Sequence, residues 1–391
     1  MSKIQFEIFK TPDDYQNWNK HIEFSIRTDE YDEDFKIELY NAFNFLKHEL
    51  GKSFLRHETK KIHPFKNYLA NRIKESFLWI IWFSKTLKHF KDKDCNYGEL
   101  KNKVLGVNSF ETEGLPFIEI ASKFIPNNFD FLFEPYNKNG KKNPDIRVID
   151  IENHQKFYIE ITKLNNSQLR LSHSKNYHSI FRELSKAPIK TYFSGKILNP
   201  FNEKRLNEII EDLKSIKEKV SRNELIEYYS NKEVDIAISH ISKEDTLREW
   251  STERNYPLFD IQPIAIDFNE IDRIINNKLV DKAKQIPSKN YGIICIAIDS
   301  LFFYVDNSKT SIQKIEKKLN QSEFYNVLGI YIYSRIGRRT ETVINSYKKH
   351  IYGRKKTCNN YCEDFQFIIN KNCLNKMSQN TLNKIYTAFS I

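Results

Sequence analysis

At 391 residues the chain is long enough for two or three domains and a large core, and its 29 Phe and 21 Tyr against 10 Gly and 11 Pro exclude a disordered polymer. It carries 62 Lys and Arg against 51 Asp and Glu; part of the lysine count has the character of AT-rich codon bias, yet a formal charge of +11 still favours a polyanionic partner. The longest apolar run, Phe77 to Phe83, is too short for a bilayer, charges interrupt the N-terminal stretch where a secretory signal would lie, and five Cys fit a reducing cytoplasm better than a disulfide framework.

In chain order, Ile4 to Phe9 reads as a short strand and Thr11-Pro12-Asp13-Asp14 as a helix start, with Thr11 as cap. Tyr40, Phe43, Leu46 and Leu50, then Leu69, Ile73, Phe77, Ile80 and Ile81, recur at helical spacing, so residues 1–105 are expected to form a mostly helical domain. Its many Lys and Arg make either a phosphate-facing or a merely solvated surface. Phe110 to Phe124 is a further helix, starting after the Gly114-Leu115-Pro116 break.

Three short strands follow between residues 129 and 163. Phe129, Phe131 and Phe133 alternate with polar or outward positions, Asn137 to Asn143 makes a hairpin loop around Gly140, Asp145 to Ile151 is the second strand, and Phe157 to Thr162 the third. On that third strand Tyr158, Glu160 and Thr162 share one face, and Phe157, Ile159, Ile161 and Lys163 the other.

Residues 165–230 read as a charged, largely helical insertion, with one apolar stripe (Leu206, Ile209, Ile210, Leu213, Ile216, Val220) on a helix from Asn202 to Tyr229. Its first stretch carries Arg170, His173, Lys175 and His178 and is either a phosphate-contacting segment or a polar connector. Strands are expected at Val234–Ile241, Ile261–Phe268, Tyr291–Ile298 and Val327–Ile336, with a helix over Ile271–Gln285. Residues 337–391 form a basic C-terminal extension. Arg335, Arg338, Arg339, Arg354, Lys355 and Lys356, interleaved with Tyr331, Tyr333, Tyr347 and Tyr352, are a candidate nucleic-acid surface, since Arg suits phosphates and Tyr suits base stacking. Cys358, Cys362, Cys373 and His350 have loose zinc-like spacing but lack the paired ligand sets of a zinc ribbon.

Glu160 stands between isoleucines, where a carboxylate is expensive to bury unpaired. Two hairpin-related strands can bring Asp145 and Glu160 together, and paired carboxylates of that kind suit Mg²⁺ or Mn²⁺. The alternative is a Glu160 that faces solvent or pairs with a lysine. Pro144-Asp145 followed by Glu160-Ile161-Thr162-Lys163 resembles the signature of the PD-(D/E)xK nuclease superfamily. The resemblance implies an α/β chain with a restriction-endonuclease-like mixed-sheet core (helix, three strands, helix, strand) over residues 106–336. It implies Mg²⁺- or Mn²⁺-dependent hydrolysis of phosphodiester bonds, with DNA the expected substrate, and a helix-borne acid completing the metal site. Glu119 is the acid in that place, with Glu113 in reserve.

In the superfamily motif the lysine stands two residues after the acid. Here Thr162 has that place and Lys163 follows, aimed at the other face unless a bulge turns it. The segment KLVDKAKQI, similar to the superfamily's second helix, offers Lys282 and Gln285 instead, either as site groups or as solvated residues of an amphipathic helix. The expectation is thus a cytoplasmic endonuclease of restriction or anti-phage type, possible as a homodimer and without a membrane partner. The competing readings are an inactive nucleic-acid-binding protein with a nuclease-like fold, and a scaffold that recruits a partner through its helices.

Overall fold

We describe the protein from a computed structural model, in which residues 3–52, 54–55, 63–70, 73–93, 95–135, 143–164, 168–186, 190–264, 268–287, 289–298, 308–336, 342–357 and 362–390 are described. They fall into two compact units, Met1–Leu164 with Ile271–Ile391, and Asn165–Glu270.

The first unit opens with helices α1 (Lys3–Ile8), α2 (Trp18–Arg27), α3 (Glu33–Leu50), α4 (Phe65–Ala70), α5 (Lys74–Asp92) and α6 (Tyr97–Leu105). The stretch read as an opening strand is α1: Ile4 and Ile8, four apart, lie on one helical face and pack into the core. Asn17 and Asp32 cap α2 and α3 by accepting from the backbone N–H groups of Asn19 and Phe35, and Gly51, at φ +88°, ends α3. A π turn at Phe110–Gly114 leads into α7 (Leu115–Ser122), which is buried at every position.

Strands β1 (Phe129–Phe133), β2 (Ile146–Asp150) and β3 (Gln155–Leu164) follow as an antiparallel meander, with Val148 opposite both Phe131 and Phe157. The chain then enters the second unit: α8 (Gln168–Ser185), β4 (Thr191–Ile197), α9 (Glu203–Asn223), β5 (Ile226–Ser230), β6 (Val234–His240), α10 (Glu244–Glu253) and β7 (Ile261–Gln262). Its sheet has the order β5-β6-β4-β7. On one face Phe193, Ile236 and Ile238 pack with apolar residues of α8 and α9; on the other, Leu247 and Trp250 of α10 meet Ala237.

Three sequence expectations change in this unit. It runs to Glu270, and between its two long helices Thr191–Ile197 forms a central strand. The long helix stops at Asn223, where Glu224 takes a left-handed conformation (φ +51°), and Ile226 to Tyr229 join the sheet. Of the strand expected over Ile261–Phe268, the described residues form only Ile261–Gln262, since Pro263 has no N–H for the ladder.

The first unit resumes at Ile271, within α11 (Phe268–Arg273), and continues through a π turn at Ile274–Leu279 and α12 (Val280–Ala283). Then come β8 (Gly292–Ile298), α13 (Ser308–Leu319), β9 (Val327–Ile336), β10 (Val343–Tyr347), β11 (His350–Lys356), β12 (Cys362–Ile369) and α14 (Gln379–Ser390). The eight-stranded sheet has the order β1-β2-β3-β8-β9-β12-β11-β10; β3, β8 and β9 run parallel and the other pairings are antiparallel. Helices cover both faces, which is why β8 is apolar throughout. On one face Ile159, Ile161, Cys295, Tyr331 and Tyr333 share a core with α3, α5, α7 and α14. On the other, Ile294, Ile296, Ile330 and Ile332 pack against Ile271 to Ala283 and α13.

The protein is therefore α/β with mixed sheets. The N-terminal helices, read from sequence as a separate domain, share a core with the sheet, and the segment read as a basic extension supplies three of its strands. β12 is buried at every position and pairs with β9 from Cys362↔Ile336 to Ile369↔Gly329, which ties the C-terminal region into the centre of the unit. Among the described residues, no helix is long and apolar enough to cross a membrane.

Candidate functional site

The β2–β3 pairing runs to Ile146↔Ile159, and one further step sets Asp145 against Glu160. Ile159 and Ile161 point into the core shared with α7, so strand alternation sends Glu160 to the opposite face, the one covered by α11 and α12. There Ile274, Ile275, Leu279 and Ala283 anchor the helical segment in the core, and Lys282, beside Ala283, is directed at the sheet.

The Lys282 ammonium donates to Asp145 Oδ2 at 2.9 Å, Glu160 Oε2 at 3.1 Å and Gln285 Oε1 at 3.1 Å. The Ile161 backbone N–H donates to the same Asp145 oxygen at 2.6 Å. The trio is almost closed to solvent: Asp145 is 4 %, Glu160 0 % and Lys282 8 % exposed. Glu160 Oε1 is buried and has no hydrogen-bond partner among the described residues.

Burial first, and the neighbouring Asp145 charge second, push the Glu160 carboxyl up to about 8. Burial works to lower Lys282, but Asp145 and Glu160 outweigh it and hold the ammonium above its ordinary value. One base against two acids leaves a negative charge uncompensated when both carboxyls ionise, in a place where the cost of an unpaired charge is high. An orphaned carboxylate oxygen beside a second carboxylate fits a small hard cation, since Mg²⁺ is commonly held by one or two protein carboxylates with water and phosphate oxygens completing its shell.

Gln285 belongs to this cluster through Lys282, and Thr162 shares the face of Glu160. Lys163 lies on the opposite face: the β3–β8 register is unbroken from Tyr158↔Gly292 to Leu164↔Ile298, so no bulge turns it toward the acids. Glu119 does not join them either. From α7 it forms a buried ion pair with Arg335 of β9, whose guanidinium also donates to Tyr68 Oη at 2.6 Å. Burial, only partly offset by Arg335, raises the Glu119 carboxyl. Glu113 pairs with Lys103. Among the described residues, no three of His, Cys, Asp and Glu gather closely enough to share a metal.

Among the described residues of the expected nucleic-acid surface, three are committed elsewhere. Arg335 is held by Glu119, Arg354 makes two bonds to Asp364 at 2.7 and 3.1 Å, and Lys355 is buried and donates to the Phe389 carbonyl at 2.6 Å. Lys356 is exposed, and Lys175 is exposed and paired with Glu203 at 2.7 Å. Arg338, Arg339, Cys358 and the side chain of Arg170 lie outside the described residues. Cys362 sits on β12 and Cys373 in a 3-10 turn after it, while His350 Nδ1 accepts from the Ile369 N–H.

Sequence reading missed Arg147. It follows Asp145 by two residues, so it lies on the same strand face, opposite Tyr158, and its Nε is buried without a hydrogen-bond partner among the described residues. The i, i+2 spacing from Asp145 was the available signal. Comparison of the chain with protein-family models, with curated proteins and with solved structures found no match.

Proposed function

We propose that the protein is a metal-dependent nuclease that hydrolyses phosphodiester bonds, with DNA the first candidate substrate. The observation that carries this reading is the meeting of Asp145 and Glu160 around Lys282, which brings together two acids and a base from a strand entry, a strand interior and a helix. The order α7, β1, β2, β3, α12, β8, with β3 and β8 parallel, supports a restriction-endonuclease-like core. Residues 165–270 carry about as many acids as bases, so the excess positive charge resides in the unit that bears the cluster, as a polyanionic substrate requires.

Asp145 and Glu160 would hold Mg²⁺ or Mn²⁺, which when bound polarises a phosphoryl oxygen and lowers the pKa of coordinated water. Lys282 supplies the positive charge that the superfamily motif places two residues after the acid, and offsets negative charge developing on the phosphate in the transition state. Gln285 fixes the Lys282 ammonium. Lys163 and Glu119 have no part in this reading. In cellular role, a nuclease with a large inserted unit resembles restriction or anti-phage enzymes.

The second reading, an inactive nucleic-acid-binding protein, is favoured by one observation: the acids number two, and an ammonium already bridges them. Incubating plasmid DNA, single-stranded DNA and RNA with the protein in Mn²⁺ or EDTA separates the two. Mn²⁺-dependent cleavage that disappears in Asp145→Asn and Glu160→Gln supports the nuclease. Binding with no cleavage of any substrate supports the inactive protein.

A further inference from the structure

The face of β2 and β3 that carries the acid pair also carries a row of basic side chains leading up to it. Cross-strand pairs on that face are Ile149↔Lys156, then Arg147↔Tyr158, then, one step beyond the paired residues, Asp145 and Glu160. Each step along a strand face is about 6.6 Å, two residues of strand rise. Lys156 is exposed and Arg147 half-buried, so the row passes from solvent to the closed cluster.

Many of the described bases are paired with a carboxylate, and these two are not. Lys85, Lys91, Lys101, Lys103 and Lys123 all hold acids, as does Arg354. Neither Arg147 nor Lys156 forms an ion pair among the described residues, although Arg147 Nε is withdrawn from solvent. A guanidinium left unpaired, with one nitrogen buried, pays a desolvation cost that its own fold does not return. An incoming anion would return it. Tyr158, directly across from Arg147, walls the row with a ring.

We propose that Lys156 and Arg147 form a phosphate-tracking lane that guides a nucleic-acid backbone across the β2–β3 face to Asp145 and Glu160. This rests on the nuclease reading and adds the route by which substrate reaches the site. The partner chemistry is a chain of phosphodiesters: two cations on neighbouring strands, offset by one step along the sheet face, match successive backbone phosphates better than a single compact anion. Arg147 contacts the phosphate nearest the acids through its fork of N–H donors, and Lys156 acts further out as a point charge.

The test is fluorescence-anisotropy binding of a labelled DNA oligonucleotide and its RNA counterpart in EDTA over a salt series. It uses the full chain, Arg147→Ala, Arg147→Lys, Lys156→Ala and, as control, Lys88→Ala on the N-terminal helices. Each alanine variant in the lane is expected to bind three- to tenfold more weakly and to lower the salt slope by about one. Arg147→Lys should recover part of the affinity, and Lys88→Ala should match the wild type. Mn²⁺ binding without nucleic acid, read by electron paramagnetic resonance, should be unchanged in all four, which separates a lost phosphate contact from a disturbed site. If the wild type binds nucleic acid while the lane variants keep its affinity and slope, the lane is wrong and the nuclease reading stands. If the wild type binds neither DNA nor RNA, both fall together.

Discussion

The Lys282 ammonium lies 2.9 Å from the Asp145 carboxylate, although 137 residues separate the two along the chain. A lysine in that position does two opposed things. It neutralises acids that burial would otherwise penalise, and it holds the place that a divalent cation would take between them. Replacing it by a neutral side chain should therefore tighten cation binding while removing a group that the proposed cleavage would use. In Lys282→Gln we expect Mn²⁺ affinity in the absence of nucleic acid to rise about tenfold by electron paramagnetic resonance. Nicking of plasmid in saturating Mn²⁺ should fall about 10²- to 10³-fold, the usual cost of one charge-stabilising donor. Unchanged affinity together with unchanged nicking would show that Lys282 is a structural counter-ion only.

Lys163 is the natural rival, since it adjoins the acid strand in sequence. The regular pairing of β3 with both neighbours keeps it on the far side of the sheet from Glu160. Lys163→Ala should consequently retain nicking activity within a few-fold of the wild type. A loss as deep as that of Lys282→Gln would mean that β3 shifts register when the site is loaded.

Glu119 is held in a buried pair with Arg335, on the α7 side of the sheet. Removing one partner strands the other charge, so Glu119→Leu should cost roughly 3–5 kcal/mol in urea unfolding, while the double variant Glu119→Leu with Arg335→Leu should recover much of it. Mn²⁺ affinity should be the same in the double variant as in the wild type. A drop in affinity would restore Glu119 to the cation site.

The strands around the acids were legible because alternation of apolar and polar residues over Phe129–Phe133 and Phe157–Thr162 is a local signal, and so was the pairing of Asp145 with Glu160 across a short turn. Lys282 was legible only as a candidate, since a lysine on an amphipathic helix reads the same whether it meets solvent or two acids. Its identity as the base of the cluster is a tertiary fact. Glu119 was placed by resemblance to a motif order, and sequence carries no trace of Arg335 arriving from β9 to claim it. The basic C-terminal segment misled for a related reason: Lys355 and Arg354 look like a charged surface in one dimension, but they lie on strands of the sheet and are used internally, by the Phe389 carbonyl and by Asp364. The row from Lys156 to Arg147 stayed hidden because its two members sit on different strands and become neighbours only through the β2–β3 register.

A pH-dependent stability should arise at His63. Its Nδ1 accepts from the Phe65 N–H at 3.2 Å and its Nε2 donates to the Val104 carbonyl at 3.1 Å, an arrangement that requires the neutral ring. Burial, reinforced by the charge of Lys66 and only partly offset by the Val104 carbonyl, brings the imidazole down from 6.5 to about 4. Between those values the unfolded chain takes up a proton that the folded protein refuses, so the contribution of His63 is fully present above pH 6.5 and is lost as the pH falls toward about 4. The loss should be on the order of 3 kcal/mol, visible as a melting temperature that declines through this window. In His63→Gln, which keeps one donor and one acceptor without titrating, that part of the decline should vanish. An equally steep decline in the variant would assign the acid sensitivity to other groups and leave the neutral ring as a packing element alone.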